Sequence, residues 1–472
     1  MHRRARRHPA HRAALSPRLG PPLGLVLGLV LGISGLSCDS PSEPEDPRIA
    51  ALWEDPSACG ATPYSWLRDP SIGQVVDWME DELFDYNVAT LEAALDVSGF
   101  RIEKELRHDV RMFRFRYVTQ DRGGLLEATS IIAVPVPAAG EPTDFPLLAF
   151  LHGTAGFSDG CAPSANVIYP LLAAAFASVG HVVVGPDFPG MVSLGDASAS
   201  VHPYLVAEPT ALTSLDAVRA ADRLLGEVDV TVTHGPGLSV LGGSQGGHAA
   251  LAVAWYAPYY APELDVTGVA ASVPPADLLS QAIKAATQRI SATNNLLAFL
   301  GAFADWYGAD LSDVLLPPHD TQVRDHLATE CSLGGITGDA TDVTQIFTPA
   351  FLDLVDAGFP TDGGIWSCMM RANSFPHTPV EPLALPPTLF VLSEEDELVD
   401  TPVERDSFDA LCARGFALEY LECAGVGHAD GAVGSFAEQL DFLAARRRGD
   451  PWPADAQCVR SPPVVCSGTD VP

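Results

Sequence analysis

Three residue positions, far apart in the chain but in a telling order, have side chains that can do chemistry together: Ser244, the acids around Asp396, and His428. Ser244 lies in Leu238-Ser239-Val240-Leu241-Gly242-Gly243-Ser244-Gln245-Gly246-Gly247-His248, where an apolar run of β type meets a G-x-S-x-G pentapeptide. An Ala-rich run of helical type then carries on to Trp255. In a strand-turn-helix context, that pentapeptide lifts a serine hydroxyl out of the sheet end on a strained turn. Small residues two before and two after the serine let strand and helix approach, which accounts for Gly242 and Gly246. With 41 glycines in the chain, the pentapeptide alone would mean no more than a glycine-rich turn. Its partners downstream carry the argument.

A serine hydroxyl is a poor nucleophile until a base takes its proton, and that base must be oriented by an acid. The apolar run Thr388 to Leu392 ends in Ser393-Glu394-Glu395-Asp396-Glu397-Leu398-Val399, and the run Leu418 to Leu421 is followed by Gly425-Val426-Gly427-His428. Of the 13 histidines, His428 is the one on a glycine-flanked turn just past a late strand, and it is assigned as general base. Asp396 is assigned as the acid, with Glu394, Glu395 and Asp400 as rivals in what would otherwise be a solvated acidic loop. The oxyanion of a tetrahedral intermediate needs at least two N–H donors. Gln245 offers one, and Thr154, in His152-Gly153-Thr154-Ala155-Gly156, is expected to offer the other. His152 is read as conformational and His248, one turn into the helix, as structural.

The elements that must position these residues alternate. Arg111 to Gln120 and Leu126 to Pro135 read as strands joined by the hairpin turn Asp121-Arg122-Gly123-Gly124. Residues 49–100 before them read as mostly helical. Leu147 to Leu151 is a continuous apolar run, as in a buried parallel strand. A helix over Tyr169 to Val179, the strand His181 to Val184, a helix over 209–225, the Ser244 strand with its helix, and the strand Val266 to Val273 follow. Strands alternating with helices predict a mostly parallel α/β sheet. The alternation breaks over 278–384, where helical periodicity prevails and Leu296, Phe299, Leu300, Phe303, Trp306 and Tyr307 form one apolar stripe, more readily packed than lipid-facing. It resumes with Pro387 to Leu392, a helix near Ser407 to Arg414, Leu418 to Cys423, and a final helix over about 434–446. The expected organisation is a core over 49–277 and 385–449, a helical cap over 278–384, and an irregular Cys- and Pro-rich tail over 450–472.

The chain carries 27 Lys and Arg against 60 Asp and Glu, a formal net charge of −33. Six of those basic residues precede Cys38, so cleavage there would leave the protein more acidic still. Such a surface repels nucleic acid and anionic headgroups alike. Residues 1–38 read as an export signal, with a basic start, an apolar stretch from Leu23 to Leu36, and Gly35-Leu36-Ser37-Cys38 in the manner of a lipoprotein cleavage box. Residues 39–48, rich in Ser, Pro, Glu and Asp, read as a flexible tether. Attachment to the cell envelope through Cys38 is favoured over free secretion. The eight other cysteines are an even count in an exported chain, which predicts disulfides among about 105 possible connectivities. Short spacing suggests Cys331–Cys368, Cys412–Cys423 and Cys458–Cys466, leaving Cys59–Cys161. No metal-ligand spacing appears, and no cofactor or metal is expected.

With these residues assembled, the chain resembles the secretory lipase family of fungi and bacteria within the α/β-hydrolases. The matching pieces are His152-Gly153-Thr154, Cys161-Ala162-Pro163-Ser164, Gly185-Pro186-Asp187, His202-Pro203-Tyr204-Leu205, Leu215-Asp216-Ala217-Val218-Arg219-Ala220-Ala221 and Gly243-Ser244-Gln245-Gly246-Gly247-His248. The resemblance covers about residues 55 to 450. It implies hydrolysis of carboxylic esters beneath a cap covering an acyl-binding tunnel, with Ser244 as nucleophile, Asp396 as acid, His428 as base, and Thr154 and Gln245 as oxyanion donors. Gly243 is a departure, because an aromatic residue often precedes the serine. A lipase or esterase acting on acylglycerols or other lipid esters is the leading expectation. A short-chain esterase, acyltransferase or peptidase with the same residues is the second, and a non-catalytic tethered binding protein the third. The oligomeric state stays open.

Overall fold

A computed structural model of the protein describes residues 46–57, 59–60, 62–198, 200–453 and 456–469. Cys38, the expected signal and most of the expected tether lie outside the described residues. The described chain begins with α1 (Pro47–Glu54), started by Asp46, whose side chain accepts from Arg48 N. Then come β1 (Val75–Glu80), α2 (Val88–Ser98), β2 (Asp109–Asp121), β3 (Gly124–Val136), β4 (Asp144–Leu151), α3 (Ile168–Gly180) and β5 (Val182–Pro186). After α4 (Ala207–Leu225) come β6 (Thr233–Gly243), α5 (Gln245–Tyr260) and β7 (Val266–Ser272).

The strands form one sheet, completed by β8 (Thr388–Ser393) and β9 (Leu418–Cys423), in the order β1-β2-β3-β5-β4-β6-β7-β8-β9. From β5 to β9 all neighbours are parallel, while β1, β2 and β3 add on antiparallel. The predicted hairpin is present, with Arg122 and Gly123 both at positive φ, as the tight turn between β2 and β3 requires. β1 corrects the reading of residues 49–100 as mostly helical. Its middle four residues are exposed, so no buried face imposes a period of two on Val75-Val76-Asp77-Trp78-Met79-Glu80. It is a strand because its backbone pairs with β2 at the sheet edge.

The order β5-β4-β6 contains the feature that matters most for function. The chain passes from β4 to β5 on one side and returns to β6 on the other, so the connections diverge at the β4/β6 boundary. In open parallel sheets, ligands bind in the crevice beyond the carboxyl ends of the strands at such a switch point. Leu151 ends β4 and Gly243 ends β6, side by side: Leu151 is in register with Gly242.

Between β7 and β8 lie α6 (Leu278–Thr287), α7 (Ala292–Tyr307), α8 (His319–Thr329), α9 (Pro349–Asp356) and α10 (Gly364–Ala372). They have a hydrophobic core of their own, and the stripe from Leu296 to Tyr307 is packed into it. The core resumes with α11 (Thr401–Ala413), α12 (His428–Gly434) and α13 (Phe436–Arg447). Two of the family-like motifs supply scaffolding. Asp187 accepts from Thr129 Oγ1, Ser164 N and Ser164 Oγ at 2.5–2.6 Å, and Asp216 accepts from Thr119 Oγ1, Tyr260 OH and Arg219.

All eight described cysteines are paired, but not as spacing suggested. The bonds are Cys59–Cys368, Cys161–Cys331, Cys412–Cys458 and Cys423–Cys466. Short separation in sequence is a poor guide because a disulfide needs Cα atoms about 5.5–6 Å apart, and the fold alone decides that. Two bonds tie the cap to the core and two tie the tail. Gly156 makes the Cys161–Cys331 tie sterically possible: a Cβ there would sit 2.3 Å from the Cys161 Cβ.

Several carboxyls are buried deeply enough to keep protons. Burial pushes Glu208 up to about 7, although Trp66 Nε1 and Tyr64 OH donate to it. Burial, aided by nearby Asp277, pushes Glu404 up to about 8. A carboxyl that holds a proton only in the folded protein makes stability fall as pH rises toward its folded pKa. Buried His152, His181, His202 and His248, held down to about 3–4, act in the opposite sense, but only below about 6.5, where unfolded histidine gains its proton. Between pH 6.5 and 8 the two glutamates therefore dominate. The Tm is expected to fall by roughly 1–3 °C over that range, and Glu404→Gln should flatten the fall. A Tm that rises, or an unaltered profile in the variant, would contradict this assignment.

Candidate active site

Ser244 is positioned by a backbone contact that only glycine permits. A Cβ on Gly242 would lie 2.1 Å from the Gly246 carbonyl oxygen, one on Gly246 2.0 Å from that of Leu151, and one on Gly247 2.5 Å from that of Ser272. These distances are far inside van der Waals contact, so α5 meets the ends of β4 and β7 backbone to backbone. Ser244 itself has φ 57° and ψ −119°, a strained conformation for a residue with a side chain. Its N–H donates to Ser272 O at 2.9 Å, which fixes the turn.

The structure places the two distant partners around it. His428 Nε2 is 2.8 Å from Ser244 Oγ, and His428 Nδ1 is 2.7 Å from Asp396 Oδ2. The other carboxylate oxygen, Oδ1, accepts from Leu398 N and Val399 N at 2.9 and 2.8 Å. These bonds hold Asp396 rigidly, and its side chain is 2% exposed. With Nδ1–H committed to Asp396, Nε2 keeps a lone pair toward the serine hydroxyl, the tautomer that a general base needs.

The rival acids are engaged elsewhere. Glu394 accepts from Gly425 N, Asp400 caps α11 and pairs with Lys284, and Glu395 is exposed. Glu397 accepts from the His428 backbone N–H at 3.0 Å and so steadies the turn carrying the imidazole. His248 Nε2 donates to Asn373 O at 3.0 Å, away from Ser244. His152 donates from Nδ1 to Gly153 O at 2.7 Å, shaping the loop after β4.

Gln245 begins α5, so the helix makes no use of its backbone N–H. Its side-chain amide donates to His202 Nε2 at 2.7 Å, and His202 Nδ1 donates to Pro189 O at 2.9 Å. Burial holds His202 down to about 3, so this ring stays neutral and braces Gln245 from behind. Thr154 lines the same cavity as Ser244 and His428. Asn295 Nδ2 donates to Tyr204 OH at 3.2 Å, and Tyr204 OH and Thr154 Oγ1 share a hydrogen bond of 2.9 Å. His202 and Tyr204 had a signal in the sequence, the His-Pro-Tyr-Leu motif, but no role. Asn295 had none, because its contact runs between segments 91 residues apart.

Two hollows meet at Ser244 and His428. One of about 630 Å³ passes Gly153, Thr154 and Gly243 toward Phe150, Leu172 and Phe436. The other, of about 40 Å³, lies beside Gln245 and Tyr204 under Leu278 and Phe299 of the cap. Among the described residues neither is lined by an Asp, Glu, Lys or Arg. No group of acids, histidines and cysteines that could hold a metal ion occurs among the described residues.

A mostly parallel sheet flanked by helices, with an elbow serine at its switch point, defines an α/β-hydrolase. The fold is shared with a putative hydrolase from Legionella pneumophila (TM-score 0.66, 20% identity, covering 80% of this chain and all of that one). It is shared too with the rice cell wall degrading esterase LipA from Xanthomonas oryzae (TM-score 0.63, 20% identity, 80% and 98% covered). Candida antarctica lipase A is similar at TM-score 0.62 and 14% identity, with 84% and 87% covered. No curated protein sequence matches the chain. Residues 165–454 match the secretory lipase family, and the chain belongs to it. It is a carboxylic ester hydrolase of the lipase and esterase class.

The Asn295–Tyr204–Thr154 chain yields a direct test. Tyr204→Phe removes the hydroxyl bonded to Thr154, the expected oxyanion donor, and is expected to lower kcat on a p-nitrophenyl ester roughly 10-fold with little change in KM, since misplacing such a donor weakens only the transition state. An unchanged kcat would show that Thr154 is held without it.

Proposed function

We propose that this protein is an exported serine hydrolase that cleaves neutral lipid esters, acylglycerols among them, through an acyl-enzyme on Ser244. The observation that carries the reading is the unbroken run of hydrogen bonds from Ser244 through His428 to Asp396, opening on an uncharged, largely apolar cavity. His428 takes the Ser244 proton as Oγ attacks the ester carbonyl, and Asp396 stabilises the imidazolium. The carbonyl oxygen becomes an anion and is met by the backbone N–H groups of Gln245 and Thr154. Collapse expels the alcohol, which takes its proton from His428. A water activated by the same imidazole then releases the acid and restores Ser244. A neutral site on a strongly acidic protein favours uncharged esters over anionic ones.

Export is supported by the four disulfides and by the family. Gly35-Leu36-Ser37-Cys38 supports a lipid tether at Cys38. A mature N-terminus other than a modified Cys38 would remove the tether from the account.

Ser244→Ala is expected to lower p-nitrophenyl ester turnover by about 10⁴–10⁶, and Asp396→Asn by about 10⁴. Turnover retained by folded Ser244→Ala would refute the mechanism. Rates on C2, C8 and C16 esters, with and without an alcohol acceptor, separate a lipase from a short-chain esterase or an acyltransferase.

A further inference from the structure

We infer that Gly243 keeps open the passage from Ser244 into the larger cavity, that this cavity takes the aliphatic chain of the ester, and that Phe100 with Val433 sets the length it accepts. The inference rests on Ser244 being the nucleophile.

Four glycines surround Ser244, and three are required by the fold. Gly242, Gly246 and Gly247 would each drive a Cβ into a backbone oxygen at 2.0–2.5 Å. Gly243 differs. It is absent from the positive-φ glycines, and the nearest atom to a Cβ there would be the Ala432 Cβ at 3.6 Å, an ordinary contact. Backbone geometry and close packing therefore both admit a side chain at 243. What a larger side chain would take is space, because Gly243 lines the 630 Å³ cavity next to Ser244. The facing wall is kept low in the same way, by Ala429 and Ala432 of α12.

The alternative hollow at Ser244 has about 40 Å³, against about 630 Å³ for the larger cavity. An aliphatic chain thus has the larger cavity as its place. Phe150, Leu172, Val433 and Phe436 give the cavity an apolar stretch, while Ser291, Asn294 and Asn295 give it polar groups elsewhere. Hydrocarbon fits the first, and polar ester and hydroxyl groups fit beside the second. Phe100 and Val433 line both this cavity and a separate hollow of about 600 Å³, whose other walls include the exposed Asp96, Gly99 and Asp430. Phe100, half-buried on the loop after α2, is thus a partition between apolar space and a solvent-facing hollow.

Gly243→Leu and Phe100→Ala in the full chain test both ends. The kcat/KM values for p-nitrophenyl acetate, decanoate and palmitate vary the acyl side, and those for ethyl and decyl acetate vary the alcohol side. For Gly243→Leu the decanoate-to-acetate ratio is expected to fall at least ~10-fold, the scale of steric discrimination in an apolar pocket. For Phe100→Ala the palmitate-to-decanoate ratio is expected to rise roughly 3-fold or more. A fall confined to the decyl acetate series supports the same passage and assigns the chain to the alcohol side. Ratios unchanged in both series, in a variant whose Ser244 still takes a fluorophosphonate label, would overturn the inference. Loss of that label in Gly243→Leu would also overturn it, by showing that the elbow needs this glycine. Turnover in Ser244→Ala would instead refute the nucleophile, an outcome the ratios do not touch.

Discussion

The close approach of α5 to the ends of β4 and β7 is the constraint on which the rest depends. With no Cβ at 242, 246 or 247, helix and strand backbones meet at distances that any other residue would forbid. That contact sets the sharp turn at Ser244 and its strained φ of 57°, at a cost of about 1–3 kcal/mol. Burial of nearly all of α5, Trp255 included, offsets the strain. The same contact brings the loop after β4 beside the serine: a Cβ on Gly153 would lie 3.8 Å from the Ser244 Cβ. Ser244 and the expected oxyanion donors are thus placed by one packing event, at the point where the sheet's connections diverge.

The helices between β7 and β8, two of which line the hollows at Ser244, are held to the sheet domain by several independent means. Cys161–Cys331 links the region after the β4 loop to the segment following α8, and Cys59–Cys368 links the N-terminal segment to α10. Gln281 of α6 donates to buried Glu404 of α11, and Lys284 pairs with Asp400. Asn295 reaches Thr154 through Tyr204. The bonds to Thr154 couple the loop after β4 to the position of α7. The disulfides constrain the unfolded chain across long separations, 309 and 170 residues, where such cross-links remove the most entropy in the chain-entropy account.

What the sequence disclosed followed how local each signal is. The elbow, the hairpin at Arg122-Gly123 and the alternation of strands and helices are written within short windows, and each appears in the structure near its expected place. The order of Ser244, Asp396 and His428 was legible because a parallel sheet puts the ends of its strands on one edge, so loops distant in sequence converge. Asp396 could be preferred over its neighbours but not separated from them by spacing. The separation comes from two backbone N–H groups, Leu398 and Val399, that turn its carboxylate toward His428. The disulfide pairing, the edge strand β1 and the roles of His202 and Tyr204 were hidden, since all depend on contacts between segments far apart in the chain. Gly243 stood out in the sequence as a missing aromatic, and in the structure a Cβ there would meet only Ala432 within 4 Å.

Fluorophosphonate labelling with peptide mapping is the decisive measurement of whether Ser244 is an activated nucleophile. One phosphonylated residue, Ser244, is expected in the folded, disulfide-bonded protein, with labelling lost in His428→Ala. A folded protein that takes no label, or takes it on another serine, would contradict the account and favour a binding role for the fold.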